Sequence, residues 1–159
     1  MKTFFYNAEQ FLPTDVNTAW DFFSSAKNLG VITPPEMKFR LSKELDEKDI
    51  YEGMLIDYTV RPLFGILLHW RTEISKVNKP WLFTDKQLKG PYQSWEHTHT
   101  FIEKDNGVLV LDEVKYQMPL GIIGTITHSL IVRKKIEEIF SYRRTILKQL
   151  FIGHGNNNH

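Results

Sequence analysis

GPYQSWEHTHTF, residues Gly90 to Phe101, opens with a Gly-Pro turn and continues as a strand whose alternate positions are Trp95, His97, His99 and Phe101. Successive side chains of a strand point to opposite faces, so two imidazoles stand in a row between two large aromatic rings. Such a row suits the wall of a pocket better than a solvated surface. After Asp105-Asn106-Gly107 a second strand carries Val110, Asp112, Val114 and Tyr116 at the same period. If Asn106-Gly107 forms a two-residue primed turn, Trp95 lies opposite Met118, His97 opposite Tyr116, His99 opposite Val114 and Phe101 opposite Asp112. A three-residue loop would set His97 and His99 against Lys115 and Glu113, a polar ladder beside Trp95 and Phe101, so the first register is preferred. Asp112 is then a diagonal neighbour of His99.

Outward from this hairpin the period of two continues through four more strand candidates, near Met37 to Glu44, Met54 to Arg61, Leu67 to Val77 and Trp81 to Leu88. Polar or Pro/Gly turns at 46–49, 62–65 and 78–80 separate them. Alternation assigns Ile56, Tyr58, Leu68, Trp70, Phe83, Asp85 and Gln87 to the inward face, and Asp57, Arg71, Lys86 and Glu96 to solvent. Lys2 to Leu12 reads as a first strand. Pro13-Thr14-Asp15 marks a helix start with Thr14 or Asp15 as cap, followed by VNTAWDFFSS, in which Val16, Ala19, Trp20 and Phe23 share a face; Trp20, Phe22 and Phe23 are packing residues. A second short helix near Lys27 to Ile32 ends before Pro34-Pro35. From about Ile122 to Phe151 the period becomes 3.6, predicting one long helix with Ile126, Leu130, Ile136, Ile139, Phe140, Leu147 and Leu150 on its apolar face. A mobile tail is expected from Gly153.

The chain has 159 residues, 42% hydrophobic and 13% aromatic, enough for one well-packed domain, expected over 1–152. Net charge is +1, with 20 basic and 19 acidic residues, so there is no electrostatic case for a nucleic-acid partner. Cysteine is absent, which removes disulfides and thiolate chemistry and fits a cytoplasmic location. No apolar run approaches the roughly 20 residues of a membrane span, so integral membrane association is not expected.

Several blocks together resemble one superfamily: Asn28-Leu29 before Thr33-Pro34-Pro35, Phe83-x-Asp85-x-Gln87, GPYQSWEHTHTF, DEVKYQMPLG from Asp112 to Gly121, and Phe140-x-Tyr142-Arg143. The chain is similar over nearly its whole length to the START-like or SRPBCC superfamily, and within it to bacterial proteins described as ligand-binding SRPBCC domains. The resemblance implies an α+β helix-grip fold, in which a curved antiparallel sheet wraps a long carboxyl-terminal helix and the space between takes an apolar or amphipathic ligand. Lipid carriers, cyclases and hormone receptors share that fold, so the resemblance does not select an activity.

The expected ligand wall comprises Tyr58, Trp70, Phe83, Asp85, Gln87, Trp95, His97, His99, Phe101, Val114 and Tyr116 from the sheet, with Ile126, Phe140 and Arg143 from the helix. Its apolar area would hold a lipid, quinone or aromatic metabolite, and its few polar groups would orient it. His97-x-His99 near Asp85 or Asp112 has metal-ligand types, but hydrogen-bonded wall histidines explain it better; neither a metal nor another cofactor is expected. His99 with Asp112 is the candidate acid-base pair of a polyketide-cyclase or dehydratase type of enzyme, an activity found in the superfamily, and Tyr58 is a further proton-transfer candidate. Asp85 and Gln87 either meet a head group or are simply hydrated. Arg143 meets a ligand carboxylate or phosphate, or forms a structural ion pair with Asp112 or Asp85. A third alternative is an interaction module whose cavity its own side chains fill. Monomer and homodimer both remain open, since a sheet edge is exposed.

Overall fold

Alternating side chains build seven strands: β1 (Thr3–Leu12), β2 (Arg40–Leu41), β3 (Leu55–Val60), β4 (Leu68–Asn78), β5 (Leu82–Lys89), β6 (Ser94–Lys104) and β7 (Gly107–Gln117). They form one antiparallel sheet in the order β1-β7-β6-β5-β4-β3-β2. This computed structural model describes all residues except 44, 46–48, 121, 122, 124, 125, 127 and 153–159. Part of the turn expected at 46–49, and the whole tail expected from 153, lie outside the described residues.

Between β1 and β2 run two short helices, α1 (Val16–Phe23) and α2 (Ala26–Val31). Asp15 is the cap of α1: its carboxylate accepts from the Thr18 backbone N–H at 2.9 Å and from the Thr18 hydroxyl at 2.6 Å. The strand predicted from Met37 to Glu44 shrinks to Arg40–Leu41. Pro35–Met37 coils into a 3₁₀ turn, and Lys38 takes a left-handed φ of 51°, so the backbone cannot extend until Arg40. The long helix α3 (Arg133–Ile152) follows a wider π-helical turn at His128–Val132, and Ile123 and Ile126 ahead of that turn are also helical, within the span predicted from about Ile122.

α3 crosses the sheet on its inward face and is tied to β1 by reciprocal bonds. Arg144 Nη2 donates to the Glu9 carbonyl at 2.6 Å, and Gln10 Nε2 donates to the Arg144 carbonyl at 2.9 Å. The Phe140 ring packs on Tyr6 at 4.8 Å. At the opposite end α1 closes the sheet, with Trp20 edge-on to Phe83 at 5.5 Å and to Phe101 at 5.9 Å, while Phe22 meets Phe151 of α3 at 5.4 Å. The predicted helix-grip architecture is the one observed.

The β6–β7 register differs from the predicted one. Lys104 pairs with Gly107, so the turn residues are Asp105-Asn106 rather than Asn106-Gly107. Asn106 supplies the left-handed φ of 64°, and Gly107 is already in the strand, where a Cβ would run into the Phe11 ring and the Leu12 carbonyl. The displacement is by two residues, so every side chain keeps its predicted face while every partner changes: Trp95 faces Tyr116, His97 faces Val114, His99 faces Asp112 and Phe101 faces Val110. Because the backbone of Leu12 cannot yield, Gly107→Ala should lower unfolding free energy by about 1–3 kcal/mol, as measured by urea denaturation. An unchanged midpoint would remove this explanation of the register.

Candidate functional site

Two apolar clusters fill the interior, and a polar belt crosses between them. Along β7 the inward row runs Val108, Val110, Asp112, Val114, Tyr116; along β6 it runs Phe101, His99, His97, Trp95; along α3 it runs Leu147, Arg143, Phe140, Ile136. The polar members fall in the middle of these rows. Asp112, His97, His99 and Arg143 are exposed by only 6%, 6%, 8% and 7%. Groups so deeply buried must find partners among themselves.

Asp112 is the hub. Its Oδ1 receives His97 Nε2 at 2.7 Å, lies 3.2 Å from His99 Nδ1 in a geometry too far off line for a hydrogen bond, and lies 3.8 Å from Arg143 Nη1. On its far side His99 Nε2 meets Asp85 Oδ2 at 3.1 Å. Rings hold the imidazoles in position: Phe83 stacks on His99 at 4.3 Å, His99 lies 3.8 Å from His97, and Phe140 presents its edge to His97 at 5.9 Å. Arg143 lies over the Phe140 ring at 4.7 Å.

The two histidines titrate in opposite senses. Desolvation by burial and the neighbouring His99 hold the His97 pKa below the usual value, outweighing its bond to Asp112. Desolvation also acts against His99, but its two carboxylate neighbours, Asp112 and Asp85, prevail and raise its pKa. Asp112 is itself subject to desolvation, which the two imidazoles overcome, holding it well below the usual carboxylate range. The charges close on this assignment. Two carboxylates, Asp85 and Asp112, are matched by the Arg143 guanidinium and one imidazolium on His99, with His97 neutral. On that assignment the four side chains and His97 balance their own charge.

Two cavities flank the belt. One, of about 150 Å³, lies under α1 and α2 and is bounded by Phe22, Leu29, Tyr58, Phe83, Asp85 and His99 among others. The other, of about 350 Å³, lies between the β3–β4 connection and α3 and is bounded by Leu63, Phe64, Tyr92, Met118, Ile136 and Phe140 among others. Trp70, Trp95, His97 and Arg143 line both. Burial raises the phenol pKa values of Tyr58, where Asp85 adds to it, and of Tyr92, where Tyr116 does, so both are neutral.

Of the predicted wall, Tyr58, Trp70, Phe83, Asp85, Trp95, His97, His99, Phe140 and Arg143 line a cavity. The others do not. Phe101, Val114 and Tyr116 are core residues, packed under α1 or against the aromatic group around Trp95, with the Tyr116 phenol pushed up to about 12, chiefly by burial. Gln87 points back along its own turn, donating from Nε2 to the Tyr92 carbonyl at 2.8 Å and accepting from its N–H at 3.3 Å. Ile126 is 58% exposed and lines neither cavity. The predicted dyad is also rearranged: Asp112 forms its short bond with His97, because the actual register sets His99 directly opposite Asp112 and swings the His97 Nε2 onto it from the diagonal position. Phe22, Phe23 and Tyr92 were missed as wall residues. The first two have ordinary core spacing on α1; Tyr92 follows the Gly90-Pro91 turn, which was the available signal, since that turn folds the ring back onto Trp70 and Trp95 at 5.6 and 4.7 Å.

Asp85, His97 and His99 offer ligand atoms all within 4.8 Å of one another, a set of types that can hold a divalent cation. His97 Nε2 and His99 Nε2 are already engaged by Asp112 and Asp85. Among the described residues, no helix is long and apolar enough to cross a membrane.

No protein-family model and no curated protein matches the sequence. Solved structures do. A protein of Thermus thermophilus superimposes with a TM-score of 0.66 at 17% identity, over 96% of this chain and 99% of that one. Ginseng major latex-like protein 151 from Panax ginseng gives 0.67 at 13%, over 94% and 97%. The di-domain ARO/CYC protein StfQ from the steffimycin biosynthetic pathway gives 0.71 at 12%, over 96% of this chain and 51% of that one. At these identities the likeness is one of fold.

The charge assignment has a measurable signature. In an NMR titration His99 should titrate above and His97 below 6.5, the ordinary value. A raised folded pKa means that the stability contributed by His99 is complete below about 6.5 and is lost as pH rises through the folded value. The stability advantage of the native chain over His99→Gln should therefore shrink as pH rises above about 6.5. A constant advantage would show that His99 is not the protonated member.

Proposed function

We propose that this chain, with its START/Bet v1-like helix-grip fold, reversibly binds an apolar or amphipathic small molecule in the space between the sheet and α3. The larger cavity carries the reading: about 350 Å³ of room, walled mainly by Leu68, Trp70, Trp95, Ile136, Ile139 and Phe140. Small-molecule pockets generally occupy roughly 300–1,000 Å³ and have such apolar walls with few polar groups. A ligand losing on the order of 300 Å² of apolar surface there would gain several kcal/mol before the entropy costs of association. A lipid fragment, a quinone or an aromatic metabolite meets these terms. The β3–β4 connection supplies a movable entrance, since Phe64 and Ile66 border the cavity while being 82% and 57% exposed. An interaction module with a filled interior has less support, because two cavities flank the belt.

Acid-base catalysis of cyclase or dehydratase type is the second reading, favoured by the 2.7 Å bond between His97 and Asp112 beside both cavities. His99 serves it less well. Its Nε2 is bonded to Asp85, and its Nδ1 lies 3.2 Å from Asp112, so both nitrogens sit against carboxylates. If proton transfer occurs, His97→Gln should abolish turnover while sparing ligand affinity.

Binding of the neutral fluorophore N-phenyl-1-naphthylamine tests the primary reading. Ile139→Trp, which fills the larger cavity, should weaken that binding at least about tenfold, a change near 1.4 kcal/mol, without lowering the melting temperature. Equal affinity in the filled variant would move the ligand out of the cavity. Native mass spectrometry of gently purified protein would identify a co-purifying ligand.

A further inference from the structure

Resting on that internal cavity, we infer that its ligand carries a carboxylate or an equivalent acid group, received by Arg143 and Trp70, and that this acid enters together with a proton. Two donors lead to it. Arg143 Nε and Trp70 Nε1 are buried and make no hydrogen bond among the described residues, and both side chains line both cavities. A buried N–H without an acceptor forfeits its hydration, and such groups in native proteins call for an explanation. Arg143 turns Nη1 toward Asp112 at 3.8 Å, which leaves the Nε edge of the guanidinium uncommitted. That edge is a planar fork matched to the two oxygens of a carboxylate. A purely apolar ligand would leave both donors without acceptors, whereas the oxygens of an acid group can accept from them.

The proton follows from charge. His97 is surrounded by Tyr58 of β3, Asp85 of β5, His99 of β6, Asp112 of β7, Arg143 of α3 and, across the larger cavity, Tyr92 and Lys135. Lys135 lies 3.5 Å from Glu138 of its own helix, and the two tyrosines are neutral. With Asp85 and Asp112 offset by Arg143 and His99, and Lys135 by Glu138, a further negative charge beside His97 has no uncommitted counter-charge. It is compensated when His97 takes a proton, or when the acid keeps its own. Either route makes acid binding weaken as pH rises, while an uncharged analogue is indifferent.

The test is a matched pair, 2-naphthoate and 2-naphthylmethanol, titrated calorimetrically into the intact chain at about pH 6 and pH 8. At the lower pH the acid should bind about tenfold or more tighter than the alcohol, the advantage expected of charge-assisted hydrogen bonds. That preference should narrow at least several-fold by pH 8. Arg143→Leu should erase it and Arg143→Lys retain part of it, while Trp70→Phe should reduce it. Alcohol binding serves in each variant as the measure of an intact cavity. Equal binding of acid and alcohol at both pH values, or a preference that survives Arg143→Leu, would overturn the inference and leave the cavity standing. Binding of neither probe would count against the internal cavity as a binding site, and the inference would fall with it.

Discussion

A carboxylate buried as deeply as Asp112 must be answered by protein groups, and two elements answer it directly. β6 brings His97 and His99, and α3 brings Arg143, while Asp85 of β5 holds the far side of His99. The helix therefore cannot slide or rotate on the sheet without leaving a charge unpaired. Breaking one member of such a group generally costs several kcal/mol, more than the net worth of forming it, so the belt contributes specificity of packing more than bulk stability. Apolar contacts on either side supply the driving force: Trp20 with Phe83 and Phe101 at one end, Phe140 with Tyr6 and Ile136 at the other.

The same belt divides the interior. A closely packed core would have joined the two apolar clusters, yet a polar row between them keeps side chains of fixed length at the centre and leaves room on both flanks. Trp70, Trp95, His97 and Arg143 face both spaces, so whatever enters either one touches them. The proposed coupling of binding to proton balance rests on this shared face. The fold alone does not require this, since the structural neighbours share the architecture at only 12% to 17% identity.

Much of this was legible from residues. Strand alternation assigned His97, His99, Asp112, Phe83 and Asp85 to the inward face, and that assignment survived a wrong register because a slip of two preserves faces. The error itself is instructive. Asn-Gly is the strongest short hairpin signal, and it suggested that Gly107 was needed for its φ. Gly107 is instead needed for its missing Cβ, because β1 closes over it, and β1 lies nearly a hundred residues away in sequence. Ile126, expected on the ligand wall, is exposed and lines neither of the two cavities. Its place in an apolar 3.6-residue period is real and it is helical, but periodicity does not say which turn of a helix lies over the sheet.

What the sequence determined by itself was the order of elements, the faces of the strands and the presence of two imidazoles between large rings, since each follows from local period and turn chemistry. Which imidazole bonds Asp112 was decided only in three dimensions. So were the retreat of Gln87 to its own turn and the standing of Arg143 beside Asp112 rather than in solvent. These depend on contacts between residues far apart in the chain, where a shift of one strand pair or a rotation of one helix changes the partner while leaving the pattern of hydrophobicity intact.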